Sequence, residues 1–320
     1  MVAEENLVNQ KCDSSRILIT GAAGFVGHHL VHEFEEHGYS VFTTDVVEGV
    51  SDLPNYHKAD LCNRDELCKL VQEVKPTACV HLGAISFVPD GDKNPAFLLS
   101  VNVAGSVNIA EAIRQNAPSC RLLFVSSSQV YGPIASMEAA CSPITEEAPL
   151  LPLSIYAISK VAAERALLAY GSAYGMEVMI ARPANHTGPG QSPRFVTVAF
   201  AKQILEFKQG KIEKLCTGNL ESIRDFTDVR DVAKAYRLII EKGVAGNAYN
   251  ISTDYRVTMG ELLALLQELC GTNAPVETSP ELYRPTDASQ KLDCTKLCKH
   301  TGWQCDYDLK QTLRDIISAL

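Results

Sequence analysis

The chain has 320 residues, with 29 Lys and Arg against 38 Asp and Glu, a net charge of −9 and 11 cysteines. Its hydrophobic share of 46% and charged share of 21% are those of a globular protein, which excludes wholesale disorder, collagen-like repeats and coiled coil. The acidic balance argues against broad binding to nucleic acid or to an anionic membrane, and leaves room for a small anionic ligand held by a few local positive groups.

No run of about 20 apolar residues occurs, so no membrane crossing is expected. Residues 1–15 are polar and acidic and read as a short disordered leader, not a signal peptide. The odd cysteine count, with no C-x-x-C pair and no secretory signal, fits reduced thiols in the cytoplasm. Cys294 and Cys298 have helical spacing but no matching second pair, so no metal is expected there.

From residue 16 the chain alternates strand and helix. Residues 16–20 (RILIT) are a short apolar strand that runs into a Gly-rich turn. Residues 25–37 carry the stripe Phe25, Val26, Leu30, Val31 and Phe34 of an amphipathic helix. Strands are expected at 39–44, ending at Asp45, and at 54–59, reaching Asp60-Leu61. A helix is expected at 67–74, a buried strand at 78–82, and one long helix over 95–115. Then follow a strand at 121–126, a long helix at 155–174 and a strand at 177–181.

This rhythm predicts an α/β fold, a doubly wound parallel sheet with helices on both faces. Residues 16–182 make the dinucleotide-binding core, with a further core segment near 222–252. The loop at 183–194 opens a mainly substrate-binding lobe that runs to residue 320.

Chemistry gathers at the strand ends. Gly21, Gly24 and Gly27, with Phe25 and Val26, lie between the first strand and the first helix. Glycines there allow a tight turn and close approach of a pyrophosphate, and the helix N-terminus offers free N–H groups. Asp45 ends the second strand, where a carboxylate accepts from ribose hydroxyls and repels a 2′-phosphate. This favours NAD(H), without deciding against NADP(H). Asp60 and Leu61 are placed to read an adenine edge. Gly83 and Ala84 follow the fourth strand and lack bulk, which suits backbone passing close to a cofactor.

Tyr156 and Lys160 stand i,i+4 on one helix face. A nearby ammonium is expected to lower the Tyr pKa, so that Tyr156 exchanges a proton with a carbonyl oxygen. Ser126, Ser127 and Ser128 end the fifth strand, where a hydroxyl can orient that carbonyl. His28, His29 and His32 have metal-like spacing but read as a helix surface, and His186 reads equally as a loop histidine or a contact.

Taken in order, these residues resemble the extended short-chain dehydrogenase/reductase family, over nearly all of residues 16–319. The resemblance implies a Rossmann fold, a catalytic Ser127–Tyr156–Lys160 set, and a homodimer formed through a four-helix bundle of the helices near 95–115 and 155–173. It leaves dehydratase, epimerase and reductase open. The dehydratases of the family carry acids just after the catalytic hydroxyl. Here Ser128 and Gln129 stand there, and Gln cannot titrate.

Residues 182–191 (RPANHTGPGQ), 219–232 and 283–287 (YRPTD) resemble the GDP-4-keto-6-deoxy-D-mannose reductase branch, with Ala184 where a Phe is usual. That likeness implies NAD(P)H-dependent reduction of a GDP-4-keto-6-deoxy-hexose to GDP-D-rhamnose. The substrate contacts it suggests are Ser127, Ser128, Gln129, Asn185, Lys202, Arg224 and Arg284. A nucleotide-sugar 4-epimerase, a 4,6-dehydratase and a redox-sensing binding module are the other readings.

Overall fold

The structure is a computed structural model and describes residues 15–132, 142–283, 289 and 291–320. Residues 1–14 of the leader and Arg284 lie outside the described residues. Seven strands form one wholly parallel sheet. In chain order they begin β1 (Arg16–Thr20), β2 (Ser40–Asp45), β3 (Tyr56–Lys58), β4 (Ala78–His81), β5 (Arg121–Val125) and β6 (Val178–Pro183). The seventh is the edge strand Ala248–Ile251. Across the sheet the order is edge strand, β6, β5, β4, β1, β2, β3.

The order reverses between β4 and β1. At such a switch point the connections leave in opposite directions and open a crevice at the carboxyl ends of the strands. The register brings those ends level. Thr20 pairs with Thr44 and with His81, His81 with Phe124, and Val125 with Ala181.

Helices cover both faces. On one, α1 (Phe25–Glu36) and the helix Val229–Lys242 pack on the sheet through Leu30, Phe34, Val232 and Ile239, and Trp303 from the C-terminal segment joins them. On the other, α2 (Arg64–Val74) packs with the helices Gly105–Asn116 and Ile155–Tyr174 through Leu67, Ile109 and Leu167. A separate apolar cluster is built from the helices Val196–Lys208, Met259–Cys270 and Leu309–Ala319.

Two expectations change. The helix over 95–115 is interrupted: Pro95–Leu99 and Gly105–Asn116 flank a π turn at Ser100–Ala104. The whole span of Pro95–Asn116 is also long and apolar enough to cross a membrane by length and composition, with mean hydropathy 1.5. Polar residues from Ser100 to Asn116 break it into short apolar runs, and its buried face packs on α2 and on the Tyr156 helix.

Candidate active site

A cleft of about 940 Å³ follows the carboxyl ends of the strands. That volume is at the top of the range for ligand pockets. Every residue expected to meet the cofactor lines it: Gly21, Gly24, Phe25, Val26 and Gly27; Asp45, Asp60, Leu61, Gly83 and Ala84; and Tyr156 with Lys160. A shallow second hollow of about 260 Å³, around Pro76 and Pro118, lies at the other end of β4 and β5.

The glycines differ in what they do. Gly21 has φ +70°, and a Cβ on it would sit 2.6 Å from the Gly83 nitrogen. The turns after β1 and β4 therefore pack backbone to backbone. A Cβ on Gly27 would meet Ala22 O at 2.2 Å, so this glycine lets α1 lie against its own turn. Gly24 is the N-cap of α1 and accepts no side-chain cap, and the first turn holds no acid. Most other long helices are capped: Asn63 caps α2, Ser154 the Tyr156 helix, and Asp228, Thr258 and Asp308 three more. Gly105–Asn116 has no side-chain cap because it continues the π turn, and Val196–Lys208, which has none either, also begins at the cleft, where Val196 and Thr197 line it. The cleft thus receives two helix ends with unspent N–H groups and positive dipole.

Asp45 is more engaged than a ribose acceptor alone. Its carboxylate accepts from Ala23 N at 3.1 Å and Val46 N at 2.7 Å, so it also holds the Gly-rich turn. His29 is not a plain surface histidine either. Its Nε2 bonds to Pro189 O at 2.9 Å, and Phe25 stacks on His186, which ties α1 to the loop after β6. His28 and His32 stay exposed, beside Asp52 and Glu36.

A buried polar chain positions Tyr156. Thr20 Oγ1 meets His81 Nδ1 at 2.6 Å, and His81 Nε2 meets Ser106 Oγ at 2.9 Å. Ser106 donates its proton to Asn102 O in the π turn, so His81 carries hydrogen on Nε2. Burial pushes this imidazole down to about 3, and it stays neutral. Asn102 then bonds Ile85 N and O and donates to Ser159 Oγ at 3.0 Å, which donates to Tyr156 O.

Lys160 Nζ donates to Val125 O at 2.8 Å and lies 5.9 Å from the Tyr156 ring. The expected lowering of the Tyr156 pKa does not hold. Burial dominates and pushes the phenol up to about 12, with the Ser127 hydroxyl beside it pulling the other way. Burial likewise brings Lys160 down to about 8, against the pull of Glu164. The reason is direction: Lys160 is aimed at the β5 carbonyl, not at the phenol.

Of the expected substrate contacts, Ser127, Gln129, Asn185 and Arg224 line the cleft. Ser128 and Lys202 do not. Ser128 is turned into the interior. Lys202 follows Thr197 by five residues, about 140° around the helix, and sits exposed near Glu206. Residues the sequence reading passed over include Thr44, Phe195, Phe226 and Tyr236, while Ser126, one of the three strand-end hydroxyls, lines the cleft as well. Thr44, Ser126 and Tyr236 share a property. Among the described residues their hydroxyls are buried without a hydrogen-bond partner, and all three line the cleft. Stranded hydroxyls, a bare helix end and a strand-end carboxylate suit a dinucleotide's ribose, amide and phosphate groups.

Comparison with known proteins agrees. The family model described as GDP-mannose 4,6 dehydratase matches residues 18–316. The chain belongs to that family, within the extended short-chain dehydrogenase/reductases. GDP-6-deoxy-D-mannose reductase of Pseudomonas aeruginosa is 34% identical over 307 residues, 95% of this chain and 97% of that protein. UDP-glucose 4-epimerase of Mycolicibacterium smegmatis is 31% identical over 90% of this chain and 93% of its own length. Among solved structures, RMD from Pseudomonas aeruginosa complexed with NADPH superposes with a TM-score of 0.84 at 33% identity, covering 96% of this chain and 98% of that one. UDP-glucose 4-epimerase of Thermus thermophilus with NAD gives 0.83 at 28% identity over 95% and 98%. This member of the extended short-chain dehydrogenase/reductases keeps the Tyr and Lys, and has Ser128 and Gln129 next to Ser127.

Proposed function

We propose that the protein is an NAD(P)H-dependent reductase of GDP-4-keto-6-deoxy-D-mannose, giving GDP-D-rhamnose. The observation that carries this reading is the neutral Gln129 in a cleft that has Tyr156 and Lys160. A dehydratase needs a titrating side chain there to remove and return protons during loss of water. A ketone reductase needs only one proton donor. The likeness to GDP-6-deoxy-D-mannose reductase supports the same choice.

The bound nicotinamide supplies a hydride equivalent. The chain supplies the rest. Tyr156 Oη donates its proton to the C4 oxygen as the alkoxide develops. Ser127 Oγ holds that oxygen. Lys160, fixed by Val125 O, places positive charge beside the site. The first turn of α1, with Asp45 and Asp60, would hold the cofactor's phosphates, ribose and adenine. Asn185, Arg224 and the free end of the Val196–Lys208 helix would take the sugar nucleotide's diphosphate. Arg284 remains a proposed further phosphate contact by its motif.

The titrations set a pH profile. Tyr156, pushed to about 12, stays a proton donor through the working range, whereas Lys160 loses its charge near 8. Turnover should therefore fall as pH rises through about 8. A kcat profile from pH 6 to 10 that stays flat would remove Lys160 charge from the account.

The same reading includes a dimer, because the apolar Phe97, Leu99, Ile158 and Tyr174 are exposed on the two helices that form the family's bundle. A single monomer mass by analytical ultracentrifugation would refute it. A cytoplasmic site goes with the nine described cysteines, all free. The division into a Rossmann core and a C-terminal substrate lobe is supported by the separate apolar cluster of the last third. The activity itself is tested by oxidation of NADH or NADPH on addition of the keto-sugar nucleotide. No oxidation with either would overturn the reading.

A further inference from the structure

The loop after β6 carries much of the sugar-nucleotide side of the cleft. Asn185, His186, Gln191, Ser192 and Phe195 line it, and the helix Val196–Lys208 starts directly after them. Residues 188–191 make a tight turn in the middle of that loop. Gln191 N donates to Gly188 O at 3.3 Å, Pro189 takes the second position and Gly190 the third, with φ +83°. These are the marks of a type II turn. Its central peptide is flipped relative to the commoner type I turn, so the Pro189 carbonyl points the other way.

That carbonyl is what His29 holds. Nε2 lies 2.9 Å from Pro189 O, and a carbonyl only accepts, so Nε2 carries the hydrogen. Phe25 and His29 stand i,i+4 on one face of α1 and meet edge to face at 5.5 Å. Phe25 also stacks on His186 at 6.4 Å. Gly188 presses on Val229, where a Cβ would sit 2.5 Å from Cγ1. The turn thus rests on Val229 and is tied to α1 by His29. Phe25 lines the cleft, and His29 does not.

We propose that His29 is a positioning residue for the sugar nucleotide, acting through the type II turn at residues 188–191 and touching no ligand itself. This inference rests on the functional reading above. Without the His29 bond the flipped peptide is released to other orientations. Binding must then select the competent one, and affinity falls with the fraction of time the loop spends in it. The cofactor's seat on α1 is made by glycines and backbone N–H groups, so it does not need the imidazole.

Calorimetric titration with GDP, and separately with NADPH and NADH, tests the two sides of the cleft. His29→Leu should weaken GDP about three- to tenfold, the usual worth of one hydrogen bond, and leave the dinucleotides unchanged. The KM for the keto-sugar nucleotide should rise while kcat stays, as when ground-state binding alone is lost. His29→Gln, which keeps an N–H donor, should recover part of the loss. Gly190→Ala reaches the same turn from its other side. A Cβ there meets nothing within 4 Å, so the variant disturbs only the left-handed conformation. It should weaken GDP similarly, and His29→Leu/Gly190→Ala should bind GDP no worse than the weaker single variant. Unchanged GDP affinity in His29→Leu overturns the proposal, as do additive losses in the double variant or equal weakening of GDP and dinucleotide. A wild-type protein that does not bind GDP overturns the functional reading, and this inference with it.

Discussion

Tyr156→Phe is expected to lower kcat by two to four orders of magnitude, with cofactor affinity near that of the wild type. The size is that of one positioned general acid, about 10²- to 10⁴-fold. The variant is clean because Tyr156 is buried at 8% exposure, and Phe fills the same space. Its backbone O still accepts from Ser159, so the polar chain through Asn102 and His81 is untouched. Lys160 keeps its bond to Val125 O. What disappears is the only proton on the phenol, next to Ser127. Steady-state oxidation of NAD(P)H by the keto-sugar reads the loss. Turnover within about tenfold of the wild type would take the proton-donor role away from Tyr156.

Arg182→Leu should cost about 3–5 kcal/mol of folding stability, the usual price of stranding one member of a buried ion pair. Arg182 and Glu164 are 6% and 1% exposed and meet through two bonds, Nε at 3.1 Å and Nη2 at 2.7 Å. Arg182 Nη1 also donates to Tyr131 Oη and to Glu146 O, both at 3.0 Å. Tyr131 in turn donates to Asn250 in the edge strand. One guanidinium therefore joins the Tyr156 helix, the turn after Ser127 and two neighbouring strands. Removing it leaves the Glu164 carboxylate in the interior two turns from Tyr156. Equilibrium urea denaturation measures the cost. In Glu164→Leu/Arg182→Leu the loss should be well below the sum of the single losses, since no unpaired charge is left. Additive losses would mean that the pair does not act as a unit.

Much of this was readable from the sequence, for identifiable reasons. The turn after β1 stood out because glycine spacing, an apolar strand and a helical stripe coincide within residues 16–37. The Tyr156 helix was read as 155–174 and is Ile155–Tyr174, since Ser154 caps its start and Gly175 stops it in a left-handed conformation. α2 begins three residues before its first apolar position, because Asn63 and the acids after it set the start. The π turn at Ser100–Ala104 could not be read, because its residue types are those of an ordinary helix.

β6 runs on to Pro183, two residues past the apolar stretch. Arg182 is a buried strand residue only because Glu164 neutralises it. Lys202 was placed by charge alone, without regard to the helix face it occupies. Tyr236 was missed for the opposite reason. A tyrosine among Ala, Val and Ile at helical spacing reads as core, and its hydroxyl acquires meaning only from what fails to bond to it. The direction of Lys160 was equally hidden, since sequence fixes its face of the helix and not the carbonyl it finds.

The central claim is hydride transfer to C4 without net loss of water. It is tested most directly with GDP-4-keto-6-deoxy-D-mannose and NADPH or NADH carrying deuterium at the transferable position. The account predicts one equivalent of oxidised cofactor and a GDP-6-deoxyhexose labelled with deuterium at C4, in the configuration of GDP-D-rhamnose. An unlabelled product, or no oxidation of either cofactor, would contradict it.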